Sequence, residues 1–344
     1  GMVNLPMGDN GNAARISGFA INGDHKYTNS FNGEGLNDAN KWGLKSRFLF
    51  NLESSELLVN FDYTKEDTDC CALAIIDYDG FSPGQVGTPL TDNAYTEAGL
   101  SITALEGLSP VGSPPSADPF NEDNYWLNDP LSNKVEVGGI STEWNFDLAS
   151  EDSITFINAW RTYTATSSYD SDLSAYNAAS PANTNVEVEQ YSSELRITSP
   201  GGETWDYQGG LYAFYSKSET LGSLGMNRLI LENATEVNGI SLGEFLGQSS
   251  INIDQNTHET TSFAAFGQLV YNPTEKLSAT LGLRITREEK KRTGSQRTLR
   301  TQWESSHPLY NPFFFSFPLD IAPIAGPDVD FDQSRTDTNV SPAL

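Results

Sequence analysis

The feature that most constrains this chain is a rhythm. Segments whose apolar residues recur at every second position come in pairs, joined alternately by a tight turn and a long connection. The tight turns fall at Asn51 to Glu56, Leu148 to Ser153, Ser199 to Thr204 and Asn272 to Lys276, and the connections between them run far longer. A period of two is the signature of a strand with one apolar and one polar face. Short connections at one end and long ones at the other describe strands that run up and down. The expected fold is therefore all-β: an antiparallel up-and-down transmembrane β-barrel with long outward loops.

The clearest segment is Lys276 to Lys291, where Ala279, Leu281, Leu283 and Ile285 share one face and Thr280, Gly282, Arg284 and Thr286 the other. Phe263 to Tyr271 precedes it through Asn272-Pro273-Thr274-Glu275, a turn in which the proline removes no ladder hydrogen bond. Tyr191 to Ser199 alternates in the same way, and Pro200-Gly201-Gly202 reverses the chain into Trp205 to Ser216. Further hairpins are Lys41 to Asn51 with Leu57 to Thr64, and Val135 to Leu148 with Ile154 to Ser167. With Ala14 to Asn22 and a stub at Asn339 to Leu344, these give roughly nine complete strands and part of a tenth. Trp42, Trp144, Tyr163, Trp205, Tyr207 and Tyr271 lie near segment ends, which suits interfacial girdles, although aromatics favour any β-sheet.

Composition narrows the function classes. Twenty Lys and Arg against forty-six Asp and Glu give the 344 residues a net charge of −26, which repels a phosphate backbone and excludes nucleic acid as a partner. No apolar run approaches the roughly 18 to 20 residues of a membrane helix, but a spanning strand needs only about 9 to 11, half of them facing lipid. Gly1-Met2-Val3 opens without a charged or apolar leader, so no signal peptide is expected in this stretch, and Gly1 resembles a cloning remnant.

The chemistry-bearing residues are few. Cys70 and Cys71 are adjacent, in an acidic stretch with Asp67, Asp69, Asp77 and Asp79. They can form a loop-tightening disulfide in an oxidising exterior, remain free thiols, or capture a metal or substrate. His25, His258 and His307 show no zinc spacing. Asp77-Tyr-Asp-Gly80 hints at a calcium turn, yet Ile75 occupies its upstream acidic position and its twelfth place lacks Glu, leaving a solvated acidic loop as the default. Arg284, Arg287, Lys290, Lys291, Arg292, Arg297 and Arg300 concentrate positive charge on one strand end, suited to lipopolysaccharide phosphates or an anionic ligand. Interleaved Glu288 and Glu289 favour a solvated strand end instead. Nucleophile-elbow, P-loop and zinc-protease signatures are missing, so no catalytic, cofactor-binding or metal residues are assigned and the chain is not expected to be an enzyme.

Several motifs arriving in order carry a resemblance. Tyr191-Ser-Ser-Glu-Leu-Arg-Ile-Thr-Ser-Pro200 is followed by Trp205-Asp-Tyr-Gln-Gly-Gly-Leu-Tyr-Ala-Phe-Tyr215 and Phe263-Ala-Ala-Phe-Gly-Gln-Leu-Val-Tyr-Asn272. Then come Leu281-Gly-Leu-Arg-Ile-Thr-Arg-Glu288 and Asn339-Val-Ser-Pro342, with Ile140-Ser-Thr-Glu-Trp-Asn-Phe-Asp147 and Asp69-Cys-Cys71 upstream. Together they resemble the barrel of a TonB-dependent outer-membrane receptor over nearly the whole chain. The resemblance implies a twenty-two-stranded barrel, filled by an N-terminal plug, that binds a siderophore, vitamin B12-like cofactor or glycan and is energised by the TonB complex.

Residues 1–344 are then expected to be a partial barrel domain without plug, TonB-binding segment or closing strand. They would supply wall and outward loops but not pump alone. The partners expected are outer-membrane lipid and lipopolysaccharide, a small-molecule nutrient ligand, and the TonB complex in the full-length protein only. Two other classes share some of these features: a secreted or surface β-sandwich that binds glycans, and a passive porin. A sandwich would seal Leu281, Leu283 and Ile285 between two sheets, whereas a barrel would expose them.

Overall fold

The computed structural model describes residues 1–72, 125, 127, 129–171, 181–226, 236–237, 240–241, 249–301 and 329–343. Eleven strands form one antiparallel sheet: β1 (Met2–Pro6), β2 (Ala13–Gly23), β3 (Ala39–Leu52), β4 (Ser55–Thr68), β5 (Ser132–Asp147), β6 (Ser153–Tyr169), β7 (Ala182–Thr198), β8 (Trp205–Met226), β9 (Ser249–Thr274), β10 (Leu277–Thr301) and β11 (Val329–Ala343). Each pairs with its neighbour in sequence, so the spatial order is the chain order. The sheet is open, because β1 and β11 do not pair with each other. Two short ribbons lie outside it, Tyr27–Thr28 with Gly35–Leu36 and Glu236–Val237 with Ile240–Ser241.

Tight turns join β1 to β2, β3 to β4, β5 to β6, β7 to β8 and β9 to β10, all at one end. Their chemistry is local. Gly201 and Gly202 adopt φ of 86° and 83°, which the β7–β8 reversal requires and side-chain-bearing residues resist. The Asp206 carboxylate accepts hydrogen bonds from the Gly202 and Glu203 amides at 3.1 and 3.3 Å, and from Asn272 Nδ2 of the neighbouring turn at 3.0 Å. One side chain thus organises two adjacent hairpins.

The sheet extends further than alternation alone indicates. Where roughly nine complete strands and part of a tenth were expected, the described residues form eleven in the sheet. Met2–Pro6 is an additional strand paired from Met2↔Ser17 to Pro6↔Ala13, and the stub expected at Asn339 begins at Val329. β7 starts at Ala182, well before Tyr191, and β9 and β10 continue far into segments expected to be loops. The reason is visible in β10, where no residue from Arg287 to Arg297 has an apolar side chain on either face while the ladder to β9 continues to Ser249↔Thr301. Backbone pairing persists after the two-residue hydrophobic period has vanished.

Asp152 in the β5–β6 turn accepts hydrogen bonds from Ser150 Oγ at 2.6 Å and Tyr207 Oη at 2.7 Å, while its carbonyl receives the Leu148 amide at 2.8 Å. The Ser150 hydroxyl first, and then the Tyr207 hydroxyl, hold the carboxyl below its usual range. A depressed folded-state value contributes stability that is present above the unfolded pKa, near about 3.9, and is lost as pH falls through the folded one. The protection factor of the Leu148 amide is expected to drop on acidification below about pH 4, and to be insensitive to this range in Asp152→Asn. Equal acid profiles for the two proteins would refute the coupling.

Candidate functional site

Residues paired directly across antiparallel strands share a face, so the register assigns every side chain to one of two surfaces. One face gathers the apolar residues. The row Ile140↔Trp160↔Tyr191↔Tyr215 crosses four strands, and nearer the tight turns run Trp144↔Phe156↔Leu195↔Leu211 and Phe146↔Ile154↔Ile197. Leu269↔Leu281 continues the band into β9 and β10, followed by Ile285↔Val340 into β11. Val3↔Ile16 and Leu5↔Ala14 carry it to the opposite edge. Leu281, Leu283 and Ile285 are 57%, 47% and 46% exposed. Among the described residues no second sheet covers them.

Aromatic rings border the band on both sides. Trp205 stacks on Tyr271 at 4.2 Å and Trp144 packs against Phe146 at 4.5 Å near the turns, while Trp42 meets Tyr63 at 5.4 Å toward the other end. Tyr163, expected with these, sits on the opposite face, because it pairs with Val137 and Val188 on the parity of Arg161. Beyond the upper rings this face turns abruptly charged. Lys65 contacts Glu136 at 2.8 Å, Lys134 contacts Asp67 at 3.6 Å, and Lys217 contacts Glu219 at 2.9 Å.

The other face mixes polar and charged residues with single rings and aliphatics such as Phe19, Phe214 and Phe266, and carries no continuous apolar band. Arg161 reaches across Gly139 to Asp62, two strands away, through a bidentate pair with both bonds at 2.9 Å. Gly139 makes this possible: a Cβ there would lie 2.6 Å from the Trp160 carbonyl oxygen and 3.0 Å from Arg161 Cγ. Arg284 lies over the rings of Tyr212 and Phe266, at 5.5 and 5.7 Å.

At the end away from the tight turns, the β2–β3 connection and the described residues just before β5 form a small cap. Leu36, Tyr125, Leu127 and Leu131 form its buried core, with Tyr27 and Ala72 against them. Asn29, 2% exposed, donates to the Leu127 carbonyl at 2.7 Å and accepts its amide at 3.1 Å. Cys70 and Cys71 are joined by a disulfide beside this cap, the loop-tightening arrangement among those the sequence permits. The end of β4 also brings Asp69 to His25 and Asp38, a convergence that local spacing could not reveal.

The other candidates are dispersed. Asp77-Tyr-Asp-Gly80 and His307 lie outside the described residues, as does the side chain of Arg300. The basic cluster is divided by strand alternation: Arg287, Lys291 and Arg297 follow the parity of the apolar face, while Arg284, Lys290 and Arg292 take the polar one. Counter-charges accompany them. Lys290 pairs with Glu288 at 2.9 Å, Arg297 with Asp330, and Lys291 stands directly across from Glu259. This supports the solvated strand end over a single anion-binding patch.

The sequence matches no family model, and no curated protein matches it either. Solved structures do match in fold. The ferric yersiniabactin uptake receptor FyuA from Yersinia pestis superposes with a TM-score of 0.58 at 12% identity, covering 99% of this chain and 40% of that one. The closed form of the ferric-catecholate import receptor Fiu from Escherichia coli K12 gives 0.52 at 12% identity, covering 99% of this chain and 44% of its own. The chain thus spans less than half the length of these receptors, and at such identity the likeness is one of fold. The open sheet of this chain is similar in fold to part of these β-barrel receptors.

Proposed function

We propose that residues 1–344 are part of the barrel domain of an outer-membrane active-transport receptor. In the whole protein, this wall and its outward loops serve uptake of a small-molecule nutrient, a siderophore, cofactor or glycan, energised by the TonB complex. The apolar face meets lipid and the polar face looks inward. The charged fringe beyond the upper aromatic rings lies at the level of lipopolysaccharide head groups.

The observation that carries this reading is the dimension and continuity of the apolar band. Trp205 and Tyr215 mark its borders on β8. Ten residues of strand extend about 33 Å, and at a barrel tilt of about 40° they rise about 25 Å, the height of an outer-membrane apolar belt. The exposure of Leu281, Leu283 and Ile285 favours a barrel over a glycan-binding sandwich, in which they would be sealed.

Two experiments test the reading at different levels. Leu211→Arg in the middle of the band is expected to cost about 2–4 kcal/mol in urea unfolding from lipid vesicles, whereas Gln208→Arg on the polar face is expected to cost little. Equal costs would remove the lipid assignment. In cells expressing the full-length protein, accumulation of a ferric siderophore is expected to saturate and to stop when TonB is deleted. Uptake that is linear in concentration and indifferent to TonB would instead make the barrel a passive porin.

A further inference from the structure

We propose that His25, Asp38 and Asp69 form a binding site for a divalent first-row transition-metal ion of the zinc class at the outer end of the sheet. The three residues come from the β2–β3 connection and the end of β4, and their ligand atoms all lie within 4.8 Å of one another. His25 Nε2 is 3.4 Å from Asp69 Oδ2. Tetrahedral bonds of about 2.0–2.1 Å place two ligand atoms roughly 3.3 Å apart, so this pair already has the required separation. Asp38 has to close the remainder by a small rotation of its side chain.

The backbone that carries the donors is fixed before any ion arrives. The Asn37 amide donates to the Asp69 carbonyl at 2.9 Å, and Asn37 Oδ1 accepts the Ala72 amide at 2.9 Å. Asp38 Oδ1 accepts the Asp69 amide at 2.6 Å, which leaves its second oxygen for a metal. The His25 ring lies against Gly35 so closely that a Cβ there would fall 2.2 Å from Cγ. Leu36, 4% exposed, anchors the same segment in the cap core. A site whose frame is prepaid in this way loses little ordering entropy on binding.

Charge gives an independent reason. Two carboxylates converge here in an acidic chain, and among the described residues neither pairs with a Lys or Arg. Among the described residues the side chain facing Asp69 is the His25 imidazole. The mixed nitrogen and oxygen donor set selects a borderline ion such as zinc over calcium, which takes six to eight oxygens. Three protein ligands leave a fourth position open to water. The ion would clamp the cap to the end of β4, and this role is independent of the transport reading.

The test uses the whole chain in detergent micelles with Co²⁺ as a spectroscopic probe. One equivalent is expected to bind with tetrahedral d–d absorption, to be displaced by Zn²⁺ and to survive excess Ca²⁺. His25→Gln and Asp69→Asn should each weaken binding by at least about tenfold, while His258→Gln and His307→Gln leave it unchanged. On the unsubstituted chain, Zn²⁺ should slow diethyl pyrocarbonate modification of His25, located by mass spectrometry, without slowing that of His258. Absence of saturable binding, binding indifferent to His25→Gln in a folded variant, or modification of His25 indifferent to Zn²⁺ would each overturn the site.

Discussion

Everything in this molecule depends on the unbroken ladder of inter-strand hydrogen bonds. In hydrocarbon an unpaired amide or carbonyl costs several kcal/mol, so a wall of strands has to satisfy its backbone between neighbours before side chains matter. The register from β1 to β11 does this strand by strand, with one irregularity between Tyr271 and Thr274 at the β9–β10 turn. Once the ladder is fixed, strand alternation divides the side chains without further instruction. The same geometry that pairs Leu195 with Leu211 on one surface pairs Arg196 with Gly210 on the other.

The polar surface has its own packing rule. Glycines stand in cross-strand rows where a long neighbour folds over them. The Phe19 ring covers Gly43, Phe266 covers Gly210 and Phe331 covers Gly294, each with ring atoms within 3 Å of where a Cβ would be. Arg161 uses Gly139 in the same way to reach Asp62. Small residues therefore let large ones lie flat along the sheet. The three rings cover glycines of the adjacent strand, an aromatic cover that stabilises glycine in sheets. Arg161 alone of these four passes over its glycine to a strand beyond.

What the sequence made legible follows from this division. Alternation at Leu281, Leu283 and Ile285 and at Leu195 and Ile197 located the strands wherever one face had to be apolar. The tight turns followed from their Pro, Gly and Asn. The upper half of β10 was not legible, because from Arg287 to Arg297 neither face carries an apolar side chain, and on β9 and β11 only the brief alternations Ile251, Ile253 and Val329, Phe331 remain to detect. Tyr163 was misassigned to the aromatic border, since proximity to a segment end does not specify a face. The basic run from Arg284 to Arg300 looked like a patch in one dimension, and alternation distributes it over two surfaces. The grouping of His25, Asp38 and Asp69 was hidden for a different reason: it is made by chain connections and not by local spacing.

Asp206 has a mechanical consequence. By accepting donors from its own hairpin turn and from Asn272 in the next, it stitches two loops into a shared selvage at one rim. A hinge placed there would have to tear both loops together. Bending of the sheet is therefore resisted at this rim between β7 and β10.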